Sequence, residues 1–150
     1  MKKILLSPLA LVSLTTYCLA NPLPQTVEPS VKSKAEQQLK VQNKHIVKLV
    51  VEEIGKKLPQ KVDKYTKFVK IESEGLKLLY TYEINTGSKS DEAVRTEDKK
   101  RMEKFVVKGI CQTSKRFLES NIDITYIYDS AISKEELFRF DVTLKDCKYL

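Results

Sequence analysis

The chain has no tryptophan, one histidine, four glycines and three cysteines in 150 residues. One histidine and three cysteines exclude most metal-ligand sets and most nucleophilic constellations. No G-x-S-x-G, H-E-x-x-H or phosphate-binding loop occurs. Beyond residue 20 there is no apolar run long enough to span a bilayer. So little glycine excludes a collagenous or glycine-rich low-complexity chain, and the length excludes a multidomain enzyme. What is present is 41% hydrophobic and 31% charged, with 27 basic against 20 acidic residues and a net charge of +7. That composition suits one ordinary folded domain.

Residues 1–20 open on Lys2 and Lys3, run apolar from Ile4 to about Leu14 and end in Cys18-Leu19-Ala20. This is the layout of a secretory signal peptide cleaved before Asn21, which predicts a periplasmic or secreted protein. Cys18 provides an alternative, as the lipid-bearing first residue of a lipoprotein, but the bulky Tyr17 stands where a small side chain is expected. Without the leader the chain keeps 25 basic and 20 acidic residues, a net +5, and two thiols, Cys111 and Cys147. In an exported chain those two are expected to form one disulfide.

Residues 21–30 carry three of the five prolines and read as a spacer, with a single domain over 31–150. From Val31 to Leu58 the positions Leu39, Ile46, Leu49, Val50 and Ile54 follow helical spacing, and Pro59 ends the helix. Lys67 to Ile71 and Leu76 to Ile84 are strand-like, joined by Ser73-Glu74-Gly75, and predict a hairpin. Asn85 to Arg95 reads as a loop. Thr96 then resembles an N-cap for a second helix, with Met102, Phe105, Val106, Ile110, Thr113 and Phe117 on one face, ending near Asn121. Ile122 to Tyr128 and Leu137 to Leu144 alternate as two further strands. The order α-β-β-α-β-β predicts an α+β two-layer sandwich, two helices on one face of a four-stranded, largely antiparallel sheet.

Two features carry functional readings. Tyr80, Tyr82, Tyr126 and Tyr128 form two Y-x-Y elements whose rings share a sheet face with Phe138 and Phe140. They either fill a core or line a pocket for an apolar ligand. Positive charge is segregated: residues 31–70 hold eleven lysines against four acids, while 71–150 hold fourteen basic against fifteen acidic residues. On the first helix Lys40, Lys44 and Lys48 recur every four residues as one ridge, either a solvated face or a docking face for an envelope protein or anionic surface. The fallback docking surface is the outer sheet face around Leu79, Ile127 and Leu137. His45 has no companion ligand, so no metal and no cofactor is expected, and nothing points to nucleic acid.

Leu58-Pro59 with Val62-Asp63, the Tyr80/Tyr82 strand, Cys111, the Tyr126/Tyr128 strand and the closing Asp146-Cys147 resemble a group of small exported bacterial proteins of uncharacterised function. The resemblance spans residues 58–147, implies export and the cysteine pairing, and transfers no catalytic residue. The expectation is a non-enzymatic accessory or interaction protein of the cell envelope. The competing classes are a carrier of an apolar ligand and a small hydrolase with spatially assembled carboxylates.

Overall fold

In the computed structural model, residues 29–148 are described. The leader, the Cys18 alternative and most of the spacer lie outside them. Pro29 and Ser30, assigned above to the spacer, already belong to a helix, α1 (Pro29–Gly55). A 27-residue helix is about 40 Å long, whereas a strand of eight residues spans about 27 Å, so α1 overhangs the sheet. Residues 33–42 are accordingly all exposed. The packing stripe begins at Asn43 and continues through Ile46, Val47, Val50, Val51 and Ile54. Leu39 and Leu49, expected on the buried side, face solvent: the first lies on the overhang and the second turns away from the stripe. After Gly55 the chain closes a tight turn, with Leu58 N donating to Gly55 O, and passes through a cis Leu58-Pro59 bond.

Five strands follow, not four: β1 (Gln60–Lys61), β2 (Thr66–Glu74), β3 (Lys77–Ile84), β4 (Asp123–Ser130) and β5 (Glu136–Val142), paired in chain order. β1 escapes sequence reading because it is two exposed residues with no periodicity. The β2–β3 hairpin turns at Gly75, whose φ of 63° is one that glycine adopts at little cost. β3 and β4 are parallel, in register from Lys77 opposite Asp123 to Ile84 opposite Ser130. Three of the four strand pairings are antiparallel, as expected, and the parallel β3–β4 pairing makes the sheet mixed, because a helical crossover returns the chain to the end of the sheet where β3 began.

That crossover corrects the single second helix. It consists of α2 (Asp91–Glu97), α3 (Lys99–Thr113) and α4 (Lys115–Glu119). The helical path starts inside the expected loop, where Ser90 Oγ accepts from Ala93 N at 3.3 Å and Asp91 and Glu92 occupy the first turn. Thr96 is no cap. Its hydroxyl donates back to Glu92 O at 3.0 Å from within α2. Breaks at Asp98 and Ser114 bend the path so that Val94, Val106, Ile110 and Leu118 all reach one core. Asn121, at φ 57°, then turns the chain into β4.

Every buried apolar side chain of the four helices belongs to one of two clusters on the same sheet face. Val47 packs with Leu78 and Ile122, and the crossover residues pack with Ile124, Tyr128, Phe138, Phe140 and Val142. On the opposite face Leu79 and Ile127 are buried, so they offer no ready docking surface. In register they sit between charged residues of the outer strands, Lys70 and Glu72 on β2 and Arg139 and Asp141 on β5. Thr125, also on that face, donates to Asp141 Oδ1 at 2.6 Å. Leu137 is buried in the helix-side core, at the irregularity where β5 slips register against β4.

Candidate functional site

The parallel register brings the two Y-x-Y elements side by side, Tyr80 opposite Tyr126 and Tyr82 opposite Tyr128. β5 extends the row with Phe140 opposite Tyr126 and Phe138 opposite Tyr128, and β2 adds Phe68 opposite Tyr82. The result is a continuous aromatic floor across four strands. Phe68 stacks on Tyr82 at 4.9 Å, Tyr82 on Tyr128 at 5.2 Å, and Phe138 on Phe140 at 5.8 Å between ring centroids. Tyr126 tilts between Tyr80 and Tyr82 at 5.2 and 5.1 Å. Each such pair contributes about 0.5–1.5 kcal/mol beyond its buried area, so the floor is stiff.

Helices cover this floor unevenly. α1 lies over Leu78 and Tyr80, and α3 lies over Tyr128 and Phe138. Beside α3 a groove of about 460 Å³ stays open, floored by Tyr82, Tyr126 and Tyr128. One wall is the α3 face of Met102, Phe105, Val106, Gly109, Ile110 and Thr113, and the other is the turn at Val62, Asp63 and Thr66. Tyr80 is not among its lining residues; it packs beneath α1. Phe105, expected in the core, is 71% exposed at the groove rim, and Val62 across from it is 57% exposed. A Cβ built on Gly109 meets nothing within 4 Å, so the absence of a side chain there keeps the wall recessed.

Electrostatically the floor is neutral. Burial, reinforced by the neighbouring Tyr126, pushes the Tyr80 phenol up to about 12 and raises Tyr82 and Tyr128 further above the ordinary tyrosine range. A neutral aromatic floor with an apolar rim suits an apolar guest.

Cys111 on α3 and Cys147 in the 3₁₀ turn Leu144–Cys147 are joined as a disulfide, with Cα atoms 5.4 Å apart. The bond fastens the chain beyond β5 to the helix that forms the groove wall. Lys40, Lys44 and Lys48 are exposed on α1, the first on the overhanging part, and Lys48 lies 3.9 Å from Glu52. They do not adjoin the groove lining.

Among the described residues no group of three His, Cys, Asp or Glu side chains is arranged for a metal ion, and no described helix is long and apolar enough to cross a membrane. Glu83, Asp129 and Glu136 stand in register on adjacent strands, but Lys134 bridges Glu83 at 2.7 Å and Arg139 bridges Glu136 at 2.9 Å. Desolvation and the two flanking carboxylates raise Asp129.

A mixed five-stranded sheet with one helical layer and an aromatic-floored groove defines the class structurally. No family model and no curated protein matches the chain. Solved structures do. A secreted protein of Pseudomonas aeruginosa superposes with a TM-score of 0.63 at 12% identity, over 73% of this chain and 96% of its own. The pilotin EpsS of the Vibrio vulnificus type 2 secretion system gives 0.58 at 14% identity, over 79% of this chain and 99% of its own. The type II secretion system pilotin AspS of Vibrio cholerae gives 0.54 at 13%, over 77% and 98%. At such identities the likeness is one of fold.

Proposed function

We propose that this chain is an exported, non-enzymatic accessory protein of the cell envelope, of the pilotin kind, which acts by holding an apolar segment of a partner protein in the groove between α3 and the Val62–Thr66 turn. The observation that carries the reading is the rim: a phenylalanine 71% exposed on α3, facing an exposed valine across a rigid floor of tyrosines. Leaving so large an apolar side chain in water forgoes stabilisation of about 1.5–3 kcal/mol, which a bound partner would recover. The leader of residues 1–20 and the fold shared with two secretion-system pilotins support the envelope setting.

The test uses the groove's own geometry. A photo-crosslinking phenylalanine analogue at position 105, activated in intact cells, should give one discrete protein adduct in the envelope fraction. Gly109→Leu projects into the recess from a position where a Cβ meets nothing within 4 Å, and should abolish that adduct while the thermal transition is kept. An adduct indifferent to Gly109→Leu would overturn the groove as the binding site. An adduct of lipid size would replace the partner segment with a carried apolar ligand.

A further inference from the structure

Residues 56–67 hold five lysines, Lys56, Lys57, Lys61, Lys64 and Lys67, against one acid, Asp63. Asp63 is engaged within its own turn, where Oδ1 accepts the backbone N–H of Tyr65 at 2.7 Å and of Thr66 at 2.8 Å. Those bonds, that of Tyr65 foremost, hold its carboxyl below the usual carboxylate range. Val62 N also donates to Thr66 O at 3.0 Å, and Asn85 N donates to Tyr65 O at 2.8 Å, which ties the turn to the end of β3. The tip is thus preformed. Yet Val62 and Tyr65 are each 57% exposed, and Lys64 Nζ lies 5.3 Å from the Tyr65 ring centroid.

Two outward apolar side chains ringed by lysines on a narrow turn suit a soft, negatively charged surface. A folded acidic protein would need a cavity shaped to the tip. A bilayer needs none: the valine enters the headgroup boundary, the tyrosine sits at the interface and the lysines meet phosphates. We propose that the turn between β1 and β2 docks this protein on an anionic phospholipid bilayer. The inference goes beyond the groove reading: Val62 is shared with the groove wall, but Tyr65, Lys61, Lys64 and Lys67, on which the test bears, lie outside the groove lining.

The protein recovered from the cell envelope is titrated with phosphatidylglycerol vesicles, with phosphatidylcholine vesicles as the reference. Each lysine near an anionic surface is worth about a factor of five, so Lys61→Gln, Lys64→Gln and Lys67→Gln together should weaken the anionic-specific binding about a hundredfold. The corresponding change of Lys40, Lys44 and Lys48 should leave it within about fivefold. Because the chain has no tryptophan, Tyr65→Trp supplies a single reporter whose emission should shift to the blue on phosphatidylglycerol and stay put on phosphatidylcholine. An unshifted reporter, equal losses in the two triple variants, or retention on polyglutamate without vesicle binding would each overturn the proposal, the last in favour of an acidic protein partner. Unchanged thermal transitions of both triple variants establish that folding is not what was altered.

Discussion

Tyr80 shows how a single side chain reports its surroundings. Its ring packs against the cluster of Val47, Leu78 and Ile122, and its phenol is pushed up to about 12 by burial and then by Tyr126. A phenol that ionises later in the folded state than in the unfolded chain stabilises the fold fully below the ordinary value of 10.0, and that contribution is lost as pH rises toward about 12. Alkaline denaturation followed by circular dichroism should therefore steepen across that window, and Tyr80→Phe should reduce the slope, leaving the share of Tyr82 and Tyr128, with little effect at neutral pH. An unchanged slope would place the ring in contact with water. Alternation alone puts Tyr80, Tyr82, Tyr126 and Tyr128 on one face, and that much is legible in the sequence. Which of them is covered is not, because coverage depends on where α1 ends its overhang.

At the scale of elements, α1 is held by more than its apolar stripe. Asn43 is 4% exposed, and its Nδ2 donates to Ser120 O at 2.7 Å, pinning the start of the packed half of α1 to the end of α4. Asn43→Ala would leave that carbonyl without its donor and should cost about 1–3 kcal/mol in denaturant unfolding, against a few tenths for Gln42→Ala on the exposed side. Near-equal effects would mean that the contact is replaced by water at no cost. Sequence spacing finds α1 and places Ile46, Val50 and Ile54 correctly, but adds Leu39 and Leu49 to the stripe, since spacing alone shows neither where the helix overhangs nor how it is rotated on the sheet. It likewise merges α3 and α4 and leaves most of α2 in a loop, because the apolar period starts only at Met102 and then runs through Ser114. At the first break Lys89 and Arg101 each lie 2.8 Å from an Asp98 oxygen.

For the whole molecule, the disulfide closes a 36-residue span from the groove wall across β4 and β5. Loop-closure entropy assigns it about 4 kcal/mol at most, a large share of the roughly 5–15 kcal/mol that holds a domain of this size together. Cys111→Ser with Cys147→Ser should therefore lower unfolding stability by about 2–4 kcal/mol, and reducing agent should mimic the double variant in the parent but leave the variant unmoved. Equal stability with and without reductant would show that the bond is absent in solution. By itself the sequence determined the α+β class, the hairpin at Gly75 and the sharing of one face by the aromatic residues, because these follow from local periodicity and composition. Only the tertiary structure decided that β3 and β4 run parallel, that Phe105 stands outside the core, and that Gly109 and Val62 bound a groove. Those outcomes depend on how long a helix is relative to the sheet beneath it and on which strand end the crossover reaches, and both are set by contacts between residues far apart in the chain.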